Sequence, residues 1–512
     1  MSTNGKGYIV GAFEHPTRKA DNTSVAQLHA EVAYGALQDA GLSKDDVDGF
    51  FCTGAAPGLG PLNMADYLGL TKLKHLDSTD MGGCSYVMHV GHAVEAIALG
   101  KCNIALITLA GRPRAEAMAT GTAPRSWGVN VPDDPFEIVY GRTVANAYAM
   151  CAMRHMYEYG TTSEQLAWIK VAASHHAQYN PHAMLPKVVT VEDVVNSPMV
   201  SDPLHRLDCC VISDGGGALI VTRPEIAKSL KRPLVKVKGH GEATKNQNAG
   251  YTDLTYSGAV WSGPRAFEEA GVTPKDIQYA SIYDSFTITV LIQLEDLGFC
   301  KKGEGGKFVA DGNLISGVGK LPFNTDGGGL CNNHPANRGG MTKVIEAVRQ
   351  LRHEAHPKVQ VPGCTLALAH GTGGLLGTRH GSATAFNRAL PEIKTDPTNQ
   401  PFFDGARAGK LLIGKCNDTG KFFWYPRGCS PFTLSNNIEL VEAKGTGSIY
   451  TFTVMRTKEP YCVAYVELDE GIRVFTNIVD CDLDSLKIGQ KVKLVFKPTQ
   501  GDGPPAFMFT PV

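Results

Sequence analysis

The first stretch that could carry out chemistry is D-M-G-G-C-S-Y-V-M-H-V-G-H-A-V-E, where Cys84 follows Gly82-Gly83 and begins an apolar, alanine-rich segment. Residues 85–99 are predicted to form a helix, which would place Cys84 at the helix N-terminus. Free backbone N–H groups and the helix dipole stabilise a thiolate there, and the thiolate is the nucleophilic form of cysteine. A small buried side chain is the alternative interpretation, which this motif alone does not exclude.

Three further segments carry polar groups suited to proton transfer or anion binding. One is N-T-D-G-G-G-L-C-N-N-H-P-A-N-R-G-G-M, whose His334 could deprotonate a thiol and then carry the proton. The second is S-I-Y-D-S-F, which clusters Tyr283, Asp284 and Ser285 at a predicted strand end. The third is A-H-G-T-G-G-L-L-G, where a glycine-rich turn after His370 could direct backbone N–H groups at an oxyanion or a ligand.

These segments are set among alternating strands and helices. Short apolar runs such as C-N-I-A-L-I-T-L-A are typical of buried strands, and stretches such as S-V-A-Q-L-H-A-E-V-A are typical of amphipathic helices. The segment A-L-Q-D-A-G-L-S-K-D-D-V-D-G-F-F has a later parallel in A-F-E-E-A-G-V-T-P-K-D-I-Q-Y-A-S-I. This repetition predicts an internal duplication, with α/β halves near residues 1–230 and 231–390.

The composition changes near residue 390. The stretch P-E-I-K-T-D-P-T-N-Q-P is polar and rich in proline, which is typical of a linker. Helical periodicity ends there. Short alternating strands follow, such as G-S-I-Y-T-F-T-V-M-R and Y-C-V-A-Y-V-E-L, and they predict a small Greek-key barrel in residues 438–512.

The overall composition excludes several classes of function. The chain has 512 residues, 43% of them hydrophobic and 19% charged, with a formal net charge of −1, so neither a nucleic acid nor a membrane surface is an expected partner. No apolar run reaches the roughly 18 residues that a membrane span needs. The 13 cysteines and the lack of an evident signal peptide predict reduced thiols and a cytoplasmic protein.

Taken together and in this order, the four segments resemble the thiolase superfamily, and in particular the sterol carrier protein X type thiolases and the thiolase-like aldolases. The likeness covers residues 5–388 and includes Y-G-T-T-S-E-Q-L-A, D-P-L-H-R-L-D and S-D-G-G-G-A-L-I-V. It implies a duplicated thiolase fold of five layers (α-β-α-β-α), with a five-stranded mixed sheet in each half. It also implies a homodimer, because the nucleophile loop of thiolases lies near the subunit interface.

The resemblance implies a role for each segment. Cys84 stands where thiolases carry the cysteine that takes the acyl group as a thioester. His334 stands at the histidine of the Gly-His-Pro motif, which activates the thiol and helps to form an oxyanion hole, and Asn333 replaces the glycine. Tyr283 begins the stretch that matches the Asn-Glu-Ala-Phe or His-Asp-Cys-Phe motif. The expected oxyanion and ligand loop comprises Asn333, His370, Gly371, Gly373 and Gly374.

Two departures from the family leave the second proton-transfer group open. Ser285 replaces the cysteine of His-Asp-Cys-Phe, and His370-Gly371-Thr372 replaces Cys-x-Gly. Serine is too weak an acid to replace a thiol in proton transfer, whereas Tyr283 carries a phenol. The resemblance to thiolase-like aldolases implies that a tyrosine acts at this position.

The function predicted first is therefore Claisen chemistry through an acyl-enzyme on Cys84, with a bulky acyl-CoA (steroidal or aromatic) and CoA as the partners and no other cofactor. The alternatives are a retro-aldol lyase that uses Tyr283, a C-acyltransferase and a non-catalytic CoA-binding scaffold.

The C-terminal part resembles a rubredoxin-like zinc ribbon followed by an OB-fold, a pair of domains that accompanies thiolase-like proteins as a partner subunit. Only Cys416 retains a cysteine at a ligand position, since Thr419, Ser430 and Thr433 occupy the other three and Cys429 lies one residue early. Tetrahedral zinc needs four ligands, usually Cys or His, so residues 391–437 are predicted to form a degenerate, metal-free ribbon. Basic and aromatic residues do not alternate in the OB-fold, which argues against nucleic-acid binding.

Overall fold

The computed structural model describes residues 2–117, 134–335, 339–374, 393, 395–457, 460–499 and 503–512. Part of the predicted linker and the end of the segment A-H-G-T-G-G-L-L-G lie outside these residues. In the part of the chain that is described, no helix combines the length and the apolar character needed to cross a membrane.

Among the described residues, the first half contains seven strands and eight helices, and an eighth strand begins the second half. The strands are β1 (Tyr8–Glu14), β2 (Gly49–Phe51), β3 (His75–Asp77), β4 (Ile104–Gly111), β5 (Met199–Ser201), β6 (Leu204–His205), β7 (Gly215–Thr222) and β8 (Val235–Lys236). The helices are α1 (Val25–Ala40), α2 (Pro61–Tyr67), α3 (Ser85–Ala98), α4 (Asp134–Glu137), α5 (Val144–Tyr159), α6 (Ser163–Ala177), α7 (Val191–Val195) and α8 (Pro224–Ser229).

Six of these strands form one mixed sheet in the order β3-β2-β4-β7-β1-β8. The strands β4 and β7 are buried along their whole length, which explains why they read as continuous apolar runs. The helix α1 covers one face of the sheet and begins at Ser24, whose side chain accepts a hydrogen bond from the Gln27 N–H. It ends at Gly41, which adopts the left-handed conformation that glycine tolerates.

The second half adds a smaller sheet on the far side of a central helical layer. Its elements are α9 (Ala259–Ala270), β9 (Tyr279–Ile282), α10 (Thr287–Asp296), α11 (Gly305–Val309), α12 (Gly328–Cys331), α13 (Gly340–Arg352) and β10 (Ala367–His370). The helices α3 and α13 lie between the two sheets, and the parallel pair β9–β10 packs on α13. On its other face this pair packs with α9 and α10, which completes the α-β-α-β-α layering.

The strand numbers differ from the predicted five in each half. The first sheet has six strands because β8, from the beginning of the second half, pairs with the edge of β1. In the second half, two strands lie among the described residues, and residues 375–392 are outside them.

The C-terminal part forms a small ribbon and a closed barrel. The ribbon region contains α14 (Gln400–Arg407), β11 (Leu412–Cys416), β12 (Phe422–Phe423) and β13 (Ile438–Glu442). The barrel strands are β14 (Thr446–Met455), β15 (Tyr461–Leu468), β16 (Arg473–Ile478), β17 (Lys491–Lys497) and β18 (Ala506–Pro511). Because β14 pairs with both β15 and β17, the five strands close on themselves, which confirms the predicted OB-type barrel.

Polar and aromatic contacts hold the barrel on the α/β body. The hairpin β5–β6 extends the barrel sheet through the pair Ser201–Met455. The Arg154 guanidinium lies 4.2 Å from the centre of the Tyr450 ring and donates a hydrogen bond of 2.9 Å to the Tyr450 carbonyl. Phe136 stacks between the rings of two aromatic residues of the ribbon region, at centroid distances of 5.5 and 5.2 Å. The barrel is therefore a packed layer of the molecule and not a tethered appendage.

Candidate active site

Cys84 lies directly before α3, as predicted. Gly82–Cys84 form a single 3₁₀ turn that leads into the helix. The Ser85 hydroxyl ties this turn together, since it accepts a hydrogen bond from the Met81 N–H at 2.9 Å and donates one to the Gly82 carbonyl at 2.7 Å. The Cys84 thiol is partly exposed, and its Sγ lies 3.1 Å from the Met81 carbonyl oxygen.

Tyr283 and His334 form a hydrogen-bonded pair beside this turn. The Tyr283 hydroxyl is 2.9 Å from His334 Nε2, and the two rings meet nearly edge to face. The Gly339 N–H donates a further hydrogen bond to the Tyr283 oxygen at 3.3 Å. A phenol and an imidazole joined in this way can pass a proton between them.

Glycines allow this pair and the loop after β10 to lie directly against the Cys84 turn. A Cβ atom on Gly83 would lie 2.3 Å from the Tyr283 hydroxyl, and one on Gly340 would lie 2.2 Å from the Gly83 carbonyl. From the loop after β10, a Cβ on Gly371 would lie 2.9 Å from Cys84 Cα, and one on Gly373 would lie 2.9 Å from Cys84 Sγ. These glycines thus let the Tyr283 phenol, the start of α13 and the loop after β10 lie directly against the turn that carries Cys84.

Burial keeps both members of the pair uncharged. Burial lowers the pKa of His334 to about 4, while the negative charge of Asp284 opposes this shift only in part. Burial also raises the pKa of Tyr283 well above 10, and the nearby Tyr148 hydroxyl adds to this effect. At neutral pH the site therefore presents a neutral imidazole and a neutral phenol.

Asp284 holds the loop that carries His334. Its carboxylate accepts hydrogen bonds from the Gly329 N–H at 2.9 Å and the Leu330 N–H at 3.1 Å, and it pairs with Lys343 at 2.8 Å. Both charges are buried. The polar cluster predicted at the end of β9 therefore divides into Tyr283, whose hydroxyl lies beside the Cys84 turn, and Asp284, which holds the neighbouring loop.

Three residues expected at the site direct their side chains elsewhere. The Ser285 hydroxyl, just before α10, is hydrogen-bonded to the Thr289 hydroxyl of that helix at 3.0 Å. The Asn333 amide donates to the Glu14 carboxylate at 2.9 Å. His370 Nδ1 is 2.7 Å from the Gln293 side-chain oxygen.

Strand alternation explains the position of His370. In the pair β9–β10, Ala369 packs towards α13, so the neighbouring His370 side chain lies on the opposite face of the sheet, together with Ile282. There Gln293 donates hydrogen bonds to the carbonyls of Tyr283 and Thr289, which leaves its oxygen facing His370. Burial lowers the pKa of His370 to about 4. The structure thus assigns the backbone of Gly371 and Gly373, but not the His370 ring, to the surroundings of Cys84.

Some residues that shape the site carry no motif signal. The Tyr148 hydroxyl donates to the Gly374 carbonyl at 3.0 Å, and its ring stacks on Phe286 at 4.6 Å. The Ser213 hydroxyl accepts a hydrogen bond from the His334 N–H at 2.9 Å. Ser213 begins the stretch S-D-G-G-G-A-L-I-V, which resembles the thiolase superfamily. The separation of Ser213 and His334 by 121 positions in the chain, however, does not predict the hydrogen bond between them.

The four zinc-ligand positions of the ribbon remain close together although three of them carry hydroxyls. Cys416 Sγ lies 4.0 Å from the Thr433 hydroxyl oxygen. Hydrogen bonds from Ser430 and Thr419 lower the pKa of the Cys416 thiol to about 7. One thiol and three neutral hydroxyls do not form the set of thiolate or imidazole donors that tetrahedral zinc requires, so these residues do not fit the metal.

The fold and the site define a thiolase-type α/β protein with an appended ribbon and barrel. Three family models match the chain: Thiolase C-terminal domain-like over residues 241–383, the ChsH2 rubredoxin-like zinc ribbon over 403–431, and the ChsH2 C-terminal OB-fold over 440–497.

Individual relatives support the same assignment. The chain is 34% identical over 378 residues to an acetyl-CoA acetyltransferase of Methanothermobacter thermautotrophicus. This alignment covers 72% of this chain and 97% of the relative. It is 36% identical over 361 residues to a steroid side-chain-cleaving aldolase of Thermomonospora curvata, and this alignment covers 68% of this chain and 90% of that relative. The solved structure of an Ltp2-ChsH2(DUF35) aldolase aligns with a TM-score of 0.66 and 32% identity over 75% of this chain and 100% of that one. The chain belongs to the thiolase superfamily.

Proposed function

We propose that this protein makes or breaks a carbon–carbon bond of a bulky acyl-CoA by Claisen chemistry, with Cys84 as the acyl acceptor. The observation that carries the proposal is the close approach of the loop after β10, at Gly371 and Gly373, to Cys84, together with the Tyr283–His334 pair beside the same turn. The similarity to an acetyl-CoA acetyltransferase supports the same class of reaction.

In the cleavage direction, the Cys84 thiol gives its proton to His334 as the sulfur attacks the β-keto carbon. The bond between the α and β carbons then breaks, which leaves the acyl group on sulfur and an electron pair on the α carbon. Tyr283 can donate the proton that this carbon needs and recover one through His334, since no second thiol follows in the Tyr283–Phe286 segment. Backbone N–H groups near Gly373 and Gly374 are proposed to hold the oxyanion. Transfer of the acyl group to the thiol of CoA frees Cys84.

A retro-aldol lyase is the second candidate, and the Tyr283–His334 hydrogen bond favours it specifically. In that reaction the pair removes the proton of a β-hydroxyl group, and the same carbon–carbon bond breaks to release a carbonyl product. The proton then returns through the pair to the α carbon of the acyl-CoA, and no acyl group forms on sulfur. The names of two similar proteins, a steroid side-chain-cleaving aldolase and an Ltp2-ChsH2(DUF35) aldolase, point the same way.

Substitutions of Cys84 and Tyr283 distinguish the Claisen reaction from the retro-aldol reaction. With a β-ketoacyl-CoA, the Claisen enzyme should add an acyl mass to the peptide that contains Cys84, and Cys84→Ser should remove the adduct and lower turnover by several orders of magnitude. His334→Ala should slow acylation but leave CoA binding nearly intact. A matched control is Cys300→Ser, because burial raises the pKa of that thiol to about 12. Substantial activity in Cys84→Ser together with none in Tyr283→Phe would establish the aldol reaction instead.

The ribbon is proposed to fold without zinc, and the protein to act as a homodimer in the cytoplasm. The edge strand β3 supports the dimer, because it offers unpaired backbone groups along one side and carries an exposed leucine, Leu76. Two further exposed leucines, Leu59 and Leu62, lie in the segment that leads into α2 and in α2 itself. Light scattering at micromolar concentration tests the dimer, and a monomer would contradict it.

A further inference from the structure

A partly buried charged network lies beside the loop that carries His334. At its centre is Glu14, the last residue of β1, whose carboxylate accepts hydrogen bonds from Arg18 at 2.9 Å and from Arg349 at 3.0 Å. Burial alone would raise the pKa of Glu14, but the two arginines and Asn333 outweigh it and lower the pKa to about 2. Glu14 is therefore an anion inside the protein, and the site already described makes no use of it.

Hydrogen bonds connect this anion to His334 in three steps. The Asn333 amide donates to Glu14 at 2.9 Å, and the Asn333 oxygen accepts from the Ser213 hydroxyl at 2.6 Å. The Ser213 oxygen in turn accepts the backbone N–H of His334 at 2.9 Å. Asn333 and Ser213 are completely buried, so no solvent molecule at the surface can take over their roles.

The neighbouring asparagine is fixed by the same network. Asn332 accepts a hydrogen bond from Arg18 at 2.8 Å and donates one to Asp326 at 2.9 Å. Two successive residues before His334 are thus held by their side chains. A glycine at position 333, as in the Gly-His-Pro motif, could make none of the Asn333 contacts, so this chain fixes its histidine loop from a side that the motif does not use.

We propose that Glu14 is a positioning residue that acts through Asn333 and Ser213 to hold the loop of His334, and with it the imidazole that is hydrogen-bonded to Tyr283. This inference rests on the proposed role of His334 as the base for Cys84. It predicts that neutralising Glu14 displaces the imidazole without touching the thiol or the acyl-CoA.

The test compares Glu14→Gln with Asp39→Asn in the full-length protein. Asp39 is a suitable control because it also pairs with two arginines, Arg352 and Arg232, each at 2.7 Å, and caps a β1 N–H. Alkylation of Cys84 by iodoacetamide, followed by mass spectrometry across pH, reports whether a base faces the thiol. Glu14→Gln should slow alkylation at neutral pH about tenfold or more and move its rise to higher pH, whereas Asp39→Asn should do neither.

Asn333→Ala provides a second variant that keeps both arginine pairs of Glu14, in case Glu14→Gln does not fold. It should reproduce the alkylation change, and turnover should show a lower kcat with an unchanged KM. If Glu14→Gln and Asn333→Ala alkylate like the wild type, the positioning role is wrong whatever the turnover. If alkylation changes as expected but no acyl-CoA is turned over by the wild type, the positioning role stands and the proposed function fails.

Discussion

Substitution of Gly83 by alanine tests the crowded geometry around Cys84 directly. The added methyl group would lie 2.3 Å from the Tyr283 hydroxyl and 2.5 Å from the Thr372 carbonyl, whereas ordinary contact begins near 3.4 Å. The Tyr283 hydroxyl must therefore move by about 1 Å, which is enough to cost roughly 100-fold in rate when a catalytic group is displaced. Overpacking of this kind also destabilises a fold by about 1–3 kcal/mol.

The assay measures turnover of a β-ketoacyl-CoA and thermal unfolding for Gly83→Ala and for Gly54→Ala. Gly54 is the matched control because a Cβ there would meet only the Ser78 hydroxyl, at 4.0 Å. We expect Gly83→Ala to lose activity far beyond its loss of stability, and Gly54→Ala to resemble the wild type. Wild-type turnover in Gly83→Ala would refute the close approach of Tyr283 to the nucleophile turn.

Three further outcomes follow from buried groups elsewhere. Burial lowers the pKa of His176 to about 4. The neutral ring therefore contributes ~3 kcal/mol to the free energy of unfolding above pH 6.5, and this contribution is lost as the pH falls towards 4. In urea unfolding, the stability of His176→Gln should depend less steeply on pH in this window than that of the wild type. Chelators should leave the unfolding temperature of the wild type unchanged, whereas Thr419→Cys, Ser430→Cys and Thr433→Cys combined should create a site that retains zinc on metal analysis. Phe136→Ala should cost about 3–5 kcal/mol and release the ribbon region to limited proteolysis before the body unfolds.

The fold was predictable because its signals are local. Apolar runs separated by amphipathic stretches indicated the α/β halves, and short alternating strands indicated the barrel. The addition of β8 to the first sheet was not predictable, since two residues carry no periodicity and the pairing depends on where the edge of β1 lies. Docking of the barrel on Arg154 and Phe136 was equally hidden, because such contacts join residues about 300 positions apart.

The motifs indicate which backbone segments meet at the candidate site, but they do not indicate which face a strand side chain occupies, because strand register decides that. Cys84, Tyr283 and His334 are brought together as expected. His370 is not, although it precedes Gly371 in the same motif, because a shift of one residue along a strand turns a side chain to the opposite face. The alternation of Gly371 and Gly373 was the sequence feature that could have identified the face in contact with Cys84, because the close approach occurs at these two glycines. No comparable pattern predicts the position of Glu14 beside the His334 loop, because in the sequence it is only an acidic residue at the end of an apolar strand.

The neutral state of the Tyr283–His334 pair sets the pH dependence that either candidate reaction should show. Burial places the pKa of His334 at about 4 and that of Tyr283 well above 10, so neither group changes its charge between about pH 5 and pH 9. A retro-aldol reaction needs only this pair, and its kcat/KM should be flat across that range. In the proposed Claisen reaction Cys84 gives its proton to the same neutral imidazole, so kcat/KM should be equally flat, and a titration within this range would contradict the neutral pair. Glu14→Gln supplies the check, because it should lower the rate of either reaction but leave the flat profile flat.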